Sequence, residues 1–164
     1  MTTAPQSLII NSPYLCPTQH WHSEGGKQTL SQGRRPAGYE IYDTRTQTKR
    51  VEPLDLVNQI RQRVDDWRAA GYEGASTVSL RLLEHWHDKG EWESQSRRWL
   101  GGQRDKPFYF CQLEAIETLI WWVEAYPTYK QGIHLQGDGG AWERVCNKMA
   151  TGSGKTSLMA MIIT

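Results

Sequence analysis

The chain has 164 residues, with 19 Lys+Arg against 18 Asp+Glu for a formal charge of +1, and a mean hydropathy of -0.67. Eight Trp and seven Tyr are too many aromatics for a disordered chain. No run reaches the roughly 18 apolar residues of a membrane helix, and residues 1–10 lack the basic start of a signal peptide. Membrane, secreted and collagen-like classes are set aside, and a charge near zero gives no argument for a strongly cationic nucleic-acid binder.

The three cysteines, Cys16, Cys111 and Cys146, are odd in number and widely spaced, which supports neither a disulfide framework nor a Cys-rich zinc site. A cytoplasmic protein with reduced thiols is the expectation. Cys16, His20 and His22 lie close together but form an incomplete ligand set, so structural roles are preferred for them.

Residues 1–53 read as an irregular, basic lead-in, punctuated by Pro5, Pro13, Pro17, Gly25, Gly26, Gly33, Pro36 and Gly38. Within it, Tyr39–Tyr42 alternates like a strand, and Asp43–Thr46 is expected to turn the chain toward a second strand at Thr48–Val51. Between Lys27 and Arg50, six basic residues face two acidic ones, with Tyr39 and Tyr42 interleaved. A nucleic-acid-facing arm is one reading; a solvated lead-in is the preferred one.

Residues 54–106 are expected to form a helical accessory region. Val57, Ile60, Val64 and Trp67 recur at spacings of three and four, which predicts a helix over 54–70 between Pro53 and Gly71. A second helix is expected from Thr77 to about Asp88, capped by Ser76 or Thr77, with Val78, Leu82, Leu83 and Trp86 as its apolar set. A shorter helical piece is expected over Trp92–Leu100. Core packing is the preferred role for every Trp in these segments.

Residues 107–164 hold the chemistry. The most apolar helix is expected over 110–126, with Leu113, Ala115, Ile116, Leu119, Ile120 and Val123 on its buried face and Pro127 as its stop. Thr128–Gly140 reads as a loop. Lys148-Met149-Ala150-Thr151-Gly152-Ser153-Gly154-Lys155-Thr156 then fits the phosphate-loop pattern G-x-x-x-x-G-K-[ST], except that Met149 replaces the first glycine. Gly152 and Gly154 let the backbone wrap an anion, and successive amides form a nest at a helix start. Lys155 would neutralise the β- and γ-phosphates of ATP, and the Thr156 hydroxyl would hold Mg²⁺. Arg144–Met149 is expected as the strand leading into this loop, and Ser157–Ile163 as the helix leaving it.

Lys148–Thr156 resembles motif I of superfamily 2 DEAD/DEAH-type helicases and translocases, in the form found in restriction-enzyme motor subunits. Phe108-Tyr109-Phe110-Cys111-Gln112-Leu113-Glu114-Ala115-Ile116 resembles the Q motif that precedes motif I in that family. The resemblance implies that Gln112 pairs with the adenine edge and that Phe108 or Phe110 packs on the base. Without it, Gln112 is a polar residue near a helix start. More loosely, Ile10–Tyr14, His20-Trp21, Gly33–Tyr39 and the segment around Trp67 resemble the lead-in of type III restriction endonuclease helicase subunits.

The fold implied is an α-rich amino-terminal region leading into a truncated RecA-like α/β P-loop domain. The function implied is the ATP-binding part of an ATP-dependent DNA helicase or translocase, the motor of a restriction-type endonuclease. Its partners would be double-stranded DNA and a modification or specificity subunit. Thr151, Gly152, Ser153, Gly154, Lys155 and Thr156 are the expected ATP contacts, with Lys155 and Thr156 the catalytic pair. The acidic strand that should follow motif I, and any nuclease motif, are absent from the 164 residues. The chain therefore reads as an amino-terminal piece that does not turn ATP over alone. The alternatives are a DNA- or partner-binding helical module with a vestigial phosphate loop, and another P-loop enzyme such as a kinase.

Overall fold

The computed structural model describes residues 9–24, 27–87, 98–99, 102–103, 107–135, 139–140 and 146–164. They belong to two compact units, residues 1–54 and 55–164.

The first unit consists of two antiparallel hairpins. Strands β1 (Gln19–Glu24) and β2 (Lys27–Gln32) pair with Trp21 opposite Leu30. The loop before β1 is tied to it by amide side chains: Asn11 Nδ2 donates to the Gln19 carbonyl at 2.8 Å, and Gln19 Nε2 donates to that of Ile10 at 2.8 Å. Strands β3 (Gly38–Asp43) and β4 (Thr48–Pro53) pair with Ile41 opposite Arg50. Asp43 organises their connection, its Oδ1 accepting from the amides of Arg45 at 2.8 Å and Thr46 at 3.3 Å. Those two amide bonds hold the Asp43 carboxyl below the usual carboxylate range. Described residues of this unit are half-buried or exposed, so neither hairpin contributes a core.

The second unit is built on helices. Helix α1 (Asp55–Ala69) ends where Gly71 enters the left-handed region at φ 80°. The Gly71 amide bonds the Arg68 carbonyl and the Tyr72 amide bonds that of Trp67, both at 3.0 Å. This is the Schellman pattern, and Tyr72 meets Trp67 edge-on at 5.0 Å, the apolar contact that accompanies it. Helix α2 (Thr77–His87) is capped by Ser76, whose Oγ accepts from the Ser79 amide at 3.1 Å. The Glu124 carboxylate also sits at this helix start, accepting from the Ser76 amide at 2.7 Å and the Ser79 hydroxyl at 2.8 Å. Helix α3 (Phe110–Glu124) is central and packs against α1, α2 and α4 (Lys155–Ile163). A two-residue ladder joins β5 (Arg98–Trp99) to β6 (Gly102–Gln103), and a 3-10 turn spans Pro127–Lys130.

The core gathers Val64 and Trp67 from α1, Leu83 and Trp86 from α2, Leu113, Ile116 and Trp121 from α3, and Leu158 and Met161 from α4. Trp67 and Trp121 are fully buried, and full burial of an apolar side chain of this kind is worth a few kcal/mol.

The expected fold class is overturned. Residues 19–53 are two β-hairpins rather than part of an α-rich region, and every strand pairing among the described residues is antiparallel and two-stranded. No RecA-like parallel sheet is formed among the described residues. Of the strand expected over Arg144–Met149, residues 146–149 have no regular structure, and 144–145 lie outside the described residues. The physical substitute for a sheet is α3: Leu158 and Met161 of α4 bury in the helical core, while Met159, Ile162 and Ile163 stay exposed. Val123, assigned to the buried face of α3, is 76% exposed, and Val78 of α2 is 64% exposed. Arg98 and Trp99 are extended rather than helical; the remainder of the helix expected over 92–100 lies outside the described residues. No helix among the described residues is long and apolar enough to cross a membrane.

Candidate phosphate-binding loop

Residues 150–155 form a tight loop at the start of α4. Gly152 and Gly154 adopt φ 79° and 80°, a conformation that a side chain opposes, and they flank Ser153. The Ala150 carbonyl is the hub on one side. It accepts from Ser153 Oγ at 2.6 Å and from Lys155 Nζ at 3.0 Å, so the lysine folds back across the loop it terminates. An ammonium has three donors, which leaves two for oxygen atoms placed in the loop. The Gly154 carbonyl is the hub on the other side, accepting from the Ser157 amide at 3.0 Å and the Leu158 amide at 3.2 Å. The first-turn amides of Lys155 and Thr156 have no intrahelical partner, as at any helix start. They therefore point outward together with the positive end of α4. Thr151, Gly152, Lys155 and Thr156 are exposed, whereas Ser153 and Gly154 are half-buried.

The element centred on Gln112 is brought directly to this loop. Gln112 lies in the first turn of α3 and is only 4% exposed. Its Oε1 accepts from the Tyr109 amide at 2.8 Å, half of a capping box, and its Nε2 donates to the Gly154 carbonyl at 3.0 Å. The preceding residue, Cys111, places its Sγ 4.0 Å from the Ser153 carbonyl, and partial desolvation pushes its thiol pKa up. A Cβ at position 154 would overlap Gln112 Nε2, so the contact requires glycine there. Phe108 packs against the core, and Phe110 is half-buried.

A second polar constellation escaped the sequence reading. Glu117 of α3 is completely buried and receives donors from three other segments. Arg68 Nε donates to it at 2.8 Å and Arg68 Nη2 at 2.5 Å, Tyr72 Oη at 2.7 Å and His87 Nε2 at 2.9 Å. Burial by itself would raise the Glu117 pKa, but the donated bonds of Arg68, His87 and Tyr72 outweigh it and lower the pKa to about 2. Arg68 is correspondingly held in its charged form, chiefly by Glu117, and burial beside Glu117 raises the Tyr72 pKa. Glu117 lies five residues beyond Gln112 on the same helix, so this cluster fixes the rotation and height of α3 under the loop. The signal in the sequence was its spacing: Glu117 shares the stripe of Leu113, Ile116 and Ile120.

In the first unit, the basic residues around β3 and β4 are largely ion-paired. Lys49 and Arg35 both contact Glu40, and Arg50 contacts Glu52 at 2.9 Å. The Lys49 and Arg35 bonds lower the Glu40 pKa. His20 Nδ1 donates to the Gly33 carbonyl at 2.9 Å, a structural role. Among the described residues, no group of three or more His, Cys, Asp or Glu is arranged to hold a metal ion.

Comparison with family models, with curated proteins and with solved structures found no match for this chain. The reading of the phosphate loop therefore stands on its own geometry and chemistry.

Proposed function

We propose that the chain binds a nucleoside triphosphate through residues 150–156, as the nucleotide-binding part of an ATP-dependent DNA helicase or translocase. The observation that carries the first half is the junction of Gln112 with Gly154. Two segments 42 residues apart in sequence, each singled out for nucleotide chemistry, meet through a direct hydrogen bond. The loop offers what a phosphate chain needs: left-handed glycines, outward amides at a helix start, and an ammonium with unused donors. Lys155 would neutralise charge on the β- and γ-phosphates. Thr156 is exposed in the first turn of α4, where its hydroxyl would hold Mg²⁺ brought in with the nucleotide. The metal would add charge neutralisation across the phosphates. The motor half of the proposal, with double-stranded DNA as partner, rests on the resemblance of Lys148–Thr156 and Phe108–Ile116 to the helicase motifs.

The test is an equilibrium titration of ATP with Mg²⁺ into the chain and its Lys155→Ala variant. The reading expects the variant to bind at least about tenfold more weakly, the worth of one charge-assisted contact. Because Lys155 is exposed, with a single hydrogen bond to Ala150, its removal should leave the unfolding midpoint nearly unchanged. Equal affinities in the two proteins would reject the proposal.

A further inference from the structure

We infer that Gln112 is a positioning residue for the phosphate loop rather than a reader of the base, so that the site takes nucleoside triphosphates by their phosphate chain with little preference between purines. The inference rests on the triphosphate reading above and departs from the role that the sequence resemblance gave this side chain.

A glutamine that reads adenine must present a free donor and a free acceptor, side by side, to the edge of the base. Gln112 presents neither to solvent. It is 4% exposed, its carbonyl oxygen accepts from the Tyr109 amide, and its NH₂ group gives one of its two N–H bonds to the Gly154 carbonyl, so the pair is turned toward backbone atoms. Phe108, a candidate to stack on a base, is packed against the helical core.

What Gln112 does hold, together with the Ser157 and Leu158 amides, is a peptide plane. In a trans peptide, C=O and the following N–H point in opposite directions. Holding the Gly154 carbonyl toward α3 therefore holds the Lys155 amide away from α3, into the mouth of the loop. Cys111 lies against the preceding carbonyl, that of Ser153, so its weak contact bears on the Gly154 amide in the same sense. Gln112 is the donor to this carbonyl that comes from α3, and the left-handed φ of 80° at Gly154 and the overlap a Cβ would make with Gln112 Nε2 keep that bond specific to glycine. The Glu117 cluster in turn fixes α3, so the phosphate-facing amides are aimed from the helical core.

The experiment compares ATP, GTP and inorganic tripolyphosphate, each with Mg²⁺, on the wild-type chain, Gln112→Glu, Gln112→Met and Lys155→Ala. Gln112→Glu keeps an acceptor for the Tyr109 amide but cannot donate to Gly154; Gln112→Met preserves length without either bond. The inference expects wild-type affinities for ATP and GTP within about threefold. It expects each Gln112 variant to weaken the three ligands by one common factor, about tenfold for the Gly154 hydrogen bond that both variants lose. A loss confined to ATP, with tripolyphosphate unaffected, would overturn it in favour of base reading. Unchanged binding in Gln112→Glu would reduce Gln112 to a helix cap and also overturn it. Failure of the underlying triphosphate reading looks different: tripolyphosphate would bind wild type and Lys155→Ala alike, or neither, and the inference would fall with it.

Discussion

Replacing Arg68 with methionine tests the buried carboxylate that anchors α3. Glu117 is fully buried, and its partners bring its pKa from an ordinary 4.5 down to about 2. That difference corresponds to about 3 kcal/mol of stability at neutral pH. Arg68 supplies two of the four hydrogen bonds, so Arg68→Met leaves a buried carboxylate with only Tyr72 and His87. The expected cost is about 3 kcal/mol, the low end for breaking a buried pair. Glu117→Leu should cost less, because the Arg68 left behind is partly exposed and keeps Asp65 at 2.6 Å. The double variant should be more stable than Arg68→Met alone, since no unpaired charge remains inside. The sign with pH follows from a lowered carboxyl pKa. The Glu117 contribution is complete above pH 4.5 and is lost as pH falls toward 2, a decline that Glu117→Leu should lack. Urea unfolding followed by tryptophan fluorescence reads all of this, with Trp67 and Trp121 fully buried as reporters. An Arg68→Met cost below about 1 kcal/mol, or a double variant equal to the sum of the singles, would refute the reasoning.

Two glycine substitutions separate the loop from its scaffold. Gly154→Ala faces a left-handed backbone and an overlap with Gln112 Nε2, so it should lower stability by about 1–3 kcal/mol and weaken triphosphate binding at least about tenfold; thermal melts and the ATP titration check both. Gly74→Ala meets a similar backbone barrier at φ 88°, with its Cβ 3.0 Å from the Glu124 carbonyl. It should cost a comparable ~1–3 kcal/mol while leaving triphosphate affinity of the folded protein unchanged, as measured in the same two assays.

The bounds of several expected elements agree with the structure, although Val78 and Val123 of the expected apolar faces are exposed. The helix expected over 54–70 spans Asp55–Ala69, that expected from Thr77 reaches His87, and Tyr39–Tyr42 and Thr48–Val51 lie within paired strands. Trp67 is core, as its place in the stripe implied. The β1–β2 hairpin was illegible because Trp21 and Leu30 are almost its only apolar residues, too few to set a period of two. The parallel sheet failed for a different reason. A phosphate-loop sequence constrains the glycines, the lysine and the helix that follows, but nothing in those residues specifies which layer the helix packs on. Here Leu158 and Met161 are buried by helices. Gln112 was legible as a residue of interest but its direction was not, since its partners are backbone atoms of Tyr109 and Gly154. Glu117 was hidden because a buried charge is recognisable only with its partners, and these come from positions 68, 72 and 87.

The claim that residues 150–156 bind a phosphate chain is tested most directly by backbone amide NMR during a titration with ATP and Mg²⁺. The account predicts that the largest shifts fall on the amides of residues 151–156, with smaller ones in the first turn of α3 at Cys111 and Gln112. It predicts that in Lys155→Ala the same shifts require at least about tenfold more ATP. Shifts that spare residues 151–156, or that fall on the hairpins of residues 19–53 instead, would contradict it.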